Sequence, residues 1–133
     1  MAEPAPRHRA RERAMTLLYE AEIKGEAPTS VVRALPVPPD AFTERLVQAA
    51  EARREECDRL VSEAAVGWPI ERMPVVDRAV LRLATAELLE FPETPTAVIL
   101  DEAVGLAGEY STDASGRFVN GVLATVATRV RGG

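Results

Sequence analysis

The sequence predicts an all-α protein, a helical bundle of about seven helices in two small helical subdomains, and three observations carry that prediction. Ala, Leu, Glu and Arg, all good helix formers, are abundant, while aromatic residues make up only 5% of the chain. Apolar residues recur at the helical period, and strand-like alternation is hard to find. Pro and Gly gather between the periodic stretches, where they punctuate helices. At 133 residues the chain has the size of one domain, 1–133, with a real core.

The first helix starts near Pro6, which a first turn tolerates, and stops at Lys24-Gly25, a basic residue followed by a C-terminal glycine. Ala10, Ala14, Leu17, Leu18 and Ala21 share an arc of about 100°, a stripe to be buried. Arg9 and Arg13 point away from it, Arg7 lies over its N-terminal end, and Arg11 flanks it. Thr29-Ser30 caps a short helix to Leu35, broken by Pro36-Val37-Pro38-Pro39. Asp40 caps a long helix in which Phe42, Leu46, Ala49, Ala50, Cys57, Leu60, Val61 and Ala64 keep helical spacing. Arg53 sits inside that stripe and predicts a break or bend. Gly67-Trp68-Pro69 ends the segment and separates the two subdomains, about 6–66 and about 67–131.

Pro74 opens the next helix, to about Phe91. It is apolar over most of its circumference, with a narrow strip of Arg78, Arg82, Thr85 and Leu89 left for solvent or a partner, which makes it the central helix. Thr94 caps the following helix, to about Tyr110, with Val98, Ile99, Ala103, Leu106 and Tyr110 as its buried face. After a small polar loop, Ser115 caps the last helix, whose stripe is Phe118, Val119, Val122, Leu123, Val126, Ala127 and Val130. Gly121 within it costs about 1 kcal/mol relative to Ala. The pair Asn120-Gly121 therefore predicts close approach of another backbone, with Asn120 bonding across the contact.

Charge is sorted along the chain. Residues 1–13 carry +2, from Arg7, Arg9, Arg11 and Arg13 against Glu3 and Glu12; residues 114–133 carry +3; residues 14–113 carry −10; the net is −5. If the fold joins the two ends, an otherwise anionic protein presents one basic patch. No apolar run approaches the roughly 20 residues of a membrane span. No secretory signal opens the chain, and one cysteine forms no disulfide framework, so a cytoplasmic, reducing home is the simplest reading. One His with one Cys does not make a zinc site, and no cofactor is implied.

Glu102 lies in a buried stripe, and Glu87 and Asp77 lie within an apolar arc. A buried carboxylate must be paired, hydrogen-bonded or neutral. Without a phosphate loop, EF-hand spacing or a Cys–His motif beside them, structural pairing is preferred and no catalytic residue is assigned. An enzyme using Glu87 or Glu102 in a bundle pocket is the rival reading. Cys57 reads as a small core residue. The sharpest signal is the run 7–13, which holds Arg7, His8, Arg9, Arg11 and Arg13. Guanidinium groups form bidentate hydrogen bonds to phosphates, and each neutralised phosphate releases counterions. Positive charge at a helix N-terminus opposes the macrodipole by about 0.3–1 kcal/mol per badly placed charge. The arrangement makes sense if an anion completes it; a solvated basic helix end is the plain alternative.

Four stretches then carry a resemblance over nearly the whole chain: Arg7-His8-Arg9-Ala10-Arg11-Glu12 with Leu17-Leu18-Tyr19; Val76-Asp77-Arg78-Ala79-Val80-Leu81-Arg82-Leu83-Ala84 with Glu87-Leu88-Leu89; Ile99-Leu100-Asp101-Glu102-Ala103-Val104-Gly105-Leu106-Ala107; and Phe118-Val119-Asn120-Gly121-Val122-Leu123. In this order and spacing, with Trp68-Pro69-Ile70-Glu71-Arg72 before the central helix, the chain resembles the NusB family of transcription antitermination factors. The resemblance implies an all-helical RNA-binding adaptor, not an enzyme. It implies a complex with NusE, a ribosomal protein, on boxA-type single-stranded RNA, acting indirectly on the RNA polymerase elongation complex and notably in ribosomal RNA operons. It implies RNA contacts at Arg7, His8, Arg9 and Arg11, with Arg13 beside them, and at Ser115 and Arg117 by the last helix. Partner contacts fall on Tyr19, Asp77, Arg78 and Arg82. His8 stands where the family usually has Arg, Thr16 where a Gln is common, Asp101 for Asn and Ala114 for Asp, departures that bear on RNA preference more than on fold. A NusB-like domain also precedes the catalytic part of some ribosomal RNA methyltransferases; with no catalytic domain after Gly133, free-standing action is the expectation. A homodimer hiding the arginines is the remaining alternative.

Overall fold

The computed structural model describes residues 5–132, so Glu3, counted in the N-terminal charge, and Gly133 lie outside it. Among the described residues there are seven α-helices, one 3₁₀ turn and no strand. They are α1 (Ala5–Lys24), α2 (Pro28–Arg33), α3 (Ala41–Ala52), α4 (Arg54–Ala64), the 3₁₀ turn (Ile70–Arg72), α5 (Val75–Glu90), α6 (Thr96–Tyr110) and α7 (Asp113–Arg131). No helix among these residues is long and apolar enough to cross a membrane.

The helix ends follow local chemistry, with three differences from the sequence reading. α1 closes at Gly25, whose φ of +67° suits glycine, with Glu26 N–H returning to Ala21 O at 3.0 Å. α2 is not capped by Thr29 or Ser30. Pro28 occupies its first turn, and the Thr29 N–H and hydroxyl both go to Glu51 on α3, at 2.8 and 2.9 Å. Asp40 caps α3 as expected, accepting from Thr43 N–H at 3.2 Å and Thr43 Oγ1 at 2.6 Å. The Thr43 bonds hold the Asp40 carboxyl below its ordinary pKa. Asp40→Ala should cost about 1 kcal/mol in urea denaturation. That contribution is present above the ordinary carboxylate range and is lost as pH falls through the depressed value.

The long helix breaks at Arg53, which leaves helical geometry at φ −103° and ψ 16°. Its guanidinium reaches Glu56 and Glu90 rather than the core. At α6, Thr94 does not cap: it is buried one residue before Pro95, and its carbonyl accepts from Arg131 at 2.6 Å. At α7 the cap is Thr112, accepting from Ser115 N–H at 3.0 Å, in place of Ser115.

α5 is central, and more completely than its sequence suggests. Thr85 in the strip left for solvent is fully buried, and Arg78 and Arg82 are engaged by other helices. α1 runs antiparallel to α5, with Glu22 beside Arg78 and Arg82 at one end and Arg11 on Glu87 at the other. α7 runs parallel to it, with Ser115 on Asp77 at the start and Arg131 on the carbonyls of Leu88 and Phe91 at the finish. One apolar cluster draws on all seven helices, with Met15, Val31, Leu46, Val61, Leu81, Ile99 and Leu123 among its members. Cys57 is inside it, and burial pushes its thiol up to about 12, so it is an inert core residue. Gly121 corrects the sequence reading: both it and Asn120 are exposed, and nothing lies within 4 Å of a Cβ placed there. Tyr110 likewise leaves the core face of α6, with 42% of its surface exposed.

Candidate nucleic-acid interface

The arginines of α1 divide by helical phase. Arg9 and Arg13 are four residues apart, so they share a face; both are exposed, and neither has a carboxylate partner among the described residues. They border an open depression of about 570 Å³ with Glu12, Thr16, Asp40 and Tyr110. Arg7 is half-buried, its guanidinium 4.0 Å above the Phe42 ring, and Phe42 meets Phe91 edge-on at 5.6 Å.

Arg11 is a correction. It falls on the inward side with Met15 and Leu18 and is only 2% exposed. Its Nε and Nη2 donate to Glu87 at 2.9 and 2.6 Å, and Nη1 lies 3.7 Å from Glu102. A guanidinium forked onto a buried carboxylate cannot reach an external phosphate, so Arg11 is a structural residue. The clue was present in the sequence as two buried charges of opposite sign, Arg11 beside the α1 stripe and Glu87 in the α5 arc. Their pairing needed the tertiary fold.

His8 is half exposed and bonds Glu102 through Nδ1 at 2.6 Å. That bond and the Glu102 charge raise its pKa above the ordinary 6.5, so the folded protein holds the imidazolium more tightly than the unfolded chain does. The pair's stabilisation is complete below pH 6.5 and is lost as pH rises through the raised value. Melting temperature should fall across neutral pH more in the wild type than in His8→Gln, by a small amount because solvent screens the pair. Parallel profiles would show that the pair contributes nothing.

At the start of α7, Ser115 and Asp77 come together. Both are buried, at 6% and 4% exposure, and Ser115 Oγ donates to Asp77 Oδ2 at 3.0 Å. The bond ties the first turns of α7 and α5 and leaves Asp77 Oδ1 buried without a hydrogen-bond partner. Arg117, two residues on, is exposed with no partner among the described residues. Trp68, 51% exposed, has its ring centroid 6.1 Å from that of the half-buried Phe118, the residue after Arg117, at 53° to it. The two rings wall an open pocket of about 240 Å³ with Pro74, Thr112 and Ala114, and Asp77 and Ser115 line its floor.

The sequence reading missed this pair. Phe118 sits on a core stripe, and Trp68 reads as a helix stop. The available signal was Trp68 between Gly67 and Pro69, a large ring in a segment that no helix can cover. Tyr110 links the two areas: it donates to Glu12 Oε2 at 2.5 Å, which raises its pKa to about 12, and the loop to Arg117 follows directly.

The basic C-terminus lies at the same end of the bundle as the start of α1: Arg7 lies over Phe42, the Phe91 ring abuts Phe42, and Arg131 bonds the Phe91 carbonyl at 2.8 Å. Its charge is nonetheless committed to the carbonyls that end α5, and Arg129 pairs with Glu63 at 3.1 Å. The expected union of both chain ends into one open patch is therefore corrected. Near the two helix starts, the exposed arginines without a carboxylate partner among the described residues are Arg9, Arg13 and Arg117, with Arg72 exposed in the turn before α5, while Arg131 is spent on backbone carbonyls.

Among the residues assigned to a partner, Tyr19 is exposed at 40%, one helical turn from Ile23 at 60%. Arg78 and Arg82 are only 12% exposed. Arg78 holds Glu22 and backbone carbonyls; Arg82 forks onto Asp58 at 2.7 and 3.0 Å. Both are structural, because the strip they occupy on α5 is covered by α1 and α4.

Comparison with known proteins places this geometry. The model of the NusB family matches residues 8–128. The transcription antitermination protein NusB of Acidothermus cellulolyticus is 48% identical over 126 residues, covering 90% of this chain and 86% of its own. The solved structure of NusB from T. maritima superposes with a TM-score of 0.83 at 33% identity, covering 96% of this chain and 93% of that one. A structure of antitermination factors NusB and NusE in complex with dsRNA superposes with a TM-score of 0.80 at 28% identity, covering 96% and 99%. A match running from His8 in the arginine run to Thr128 in the last helix means that the chain belongs to the NusB family.

Proposed function

We propose that the chain is an RNA-binding transcription antitermination factor. It holds boxA-type single-stranded RNA across α1 and the start of α7 and joins NusE. Through that pair it acts on the RNA polymerase elongation complex to promote read-through, notably in ribosomal RNA operons. The observation that carries the reading is the pair Arg9 and Arg13, exposed on one face of a helix in a protein of net charge −5. Two isolated guanidinium groups of this kind suit phosphates. Arg117 with Trp68 and Phe118 adds charge beside aromatic faces, the combination on which unstacked bases sit. Arg7 lies on the same helix end and His8 beside it. The relative solved with NusE and RNA supports the partner assignment, and the exposed Tyr19 and Ile23 are the surface offered to that partner.

With few free cations, the chain alone binds weakly, and affinity is a joint property of the pair. A salt titration of single-stranded RNA affinity, with and without NusE, tests this. Three phosphate contacts give a slope of about −2 in log K against log salt, and NusE should raise affinity at every salt concentration. Affinity indifferent to salt would remove the reading.

A further inference from the structure

We propose that Arg78 is a positioning residue for the aromatic pair: it touches no RNA, and it sets where Trp68 stands against Phe118 by gripping the turn that follows Trp68. This rests on the reading of that pair as a base-stacking surface.

The segment from Trp68 to Pro74 holds itself by few backbone bonds: Trp68 N–H reaches Ala65 O at 2.9 Å, and Arg72 and Met73 N–H close the turn on Pro69 O and Ile70 O at 3.0 and 3.1 Å. Its only regular element is the three-residue 3₁₀ turn Ile70–Arg72, and such short turns have poor hydrogen-bond geometry. Pro69 and Pro74 contribute no N–H. Ile70 and Met73 are buried and anchor one side, while Trp68 and Pro69 remain exposed. Arg78 closes the other side. Its Nη1 lies 3.1 Å from Glu71 O, 3.2 Å from Met73 O and 3.5 Å from Ile70 O, so a single nitrogen gathers the carbonyls of the whole turn. Nη2 is held from α1 by Glu22 at 2.8 Å. Nε is buried with no hydrogen-bond partner, so the fold leaves one donor unsatisfied while the other two nitrogens are aimed.

Only a planar fork fixed at one end by a carboxylate meets these acceptors together. A lysine ammonium would keep the charge facing Glu22 without spanning the carbonyls. Glu22 thus holds Arg78, Arg78 holds the turn, and the short backbone through Pro69 carries that position to the Trp68 ring that faces Phe118.

Trp68 is the only tryptophan, so its emission reports on this turn alone. Arg78→Lys is expected to red-shift that emission and raise acrylamide quenching about twofold. Glu22→Gln, whose amide oxygen still accepts from Nη2 and so keeps the fork on the carbonyls, should leave both nearly unchanged. Single-stranded RNA affinity should drop in Arg78→Lys by roughly tenfold, the scale of one lost base stack, and no further when Trp68→Ala is already present. Arg78→Gln, too short to span the turn, is the second variant and should behave as Arg78→Lys does.

Variants that remain folded by circular dichroism with unaltered emission and quenching would overturn the positioning role. So would a loss in RNA affinity as large in the Trp68→Ala background as in the wild type. RNA affinity unchanged by Trp68→Ala alone would instead overturn the stacking surface, and the emission of Arg78→Lys would still decide the grip on the turn.

Discussion

Reversing Arg9 and Arg13 together to Glu is expected to weaken single-stranded RNA binding about 100-fold near 0.1 M salt and to flatten the salt slope by about 1.4, two phosphates' worth. Fluorescence anisotropy over a salt series reads both quantities. The fold should survive, because both side chains are exposed and neither holds a carboxylate among the described residues. Thermal unfolding of the variant serves as the control. Arg117→Glu should add a smaller loss of the same kind. Unchanged affinity in the double reversal, with the protein folded, would mean that RNA is bound elsewhere or not at all. Arg11 does not belong in this experiment. Its reversal would oppose Glu87 inside the core, and any loss of binding would follow from loss of the fold.

The second large effect is on stability. Arg11→Ala should cost about 3–5 kcal/mol, because it leaves the buried Glu87 carboxylate without its counterpart, and Glu87→Ala should cost less, because Arg11 keeps Glu102 at 3.7 Å. Glu87 is 1% exposed and Arg11 2%, so water cannot take the missing partner's place without opening the interface between α1 and α5. Arg11→Met combined with Glu87→Leu should recover most of the loss, since two apolar side chains of similar size remove both desolvation costs. Urea unfolding of the singles and the double, read as a thermodynamic cycle, checks this. Single losses below 1 kcal/mol would show that the site hydrates or rearranges.

These two experiments separate residues that are neighbours in sequence. Arg9, Arg11 and Arg13 alternate, and composition treats them alike. Helical phase alone puts Arg9 and Arg13 away from the stripe and leaves Arg11 at its margin. The inward turn of Arg11 is decided by Glu87, 76 residues away. Asp77 and Ser115 show the same limit: each reads from sequence as a separate contact residue, and only the fold bonds them to each other across two helix starts. Thr29 and Thr94 look like helix caps, but distant acceptors and a following proline displace that role. Trp68 and Phe118, apart by 50 positions, became a pair only when the start of α5 and the start of α7 were brought side by side.

By itself the sequence determined the helical class, the helix ends set by Gly25, Asp40 and Pro74, the break at Arg53, the central rank of α5 and the family likeness. All of these depend on local backbone preference, on apolar period or on residue order, which act over one to a few helical turns. The tertiary structure decided which charges are free and which are spent, and which rings face each other. A guanidinium or a carboxylate carries the same charge in any sequence. Whether it meets solvent, a phosphate or a buried partner depends on the segment that packing places opposite it, and local pattern holds no record of that segment.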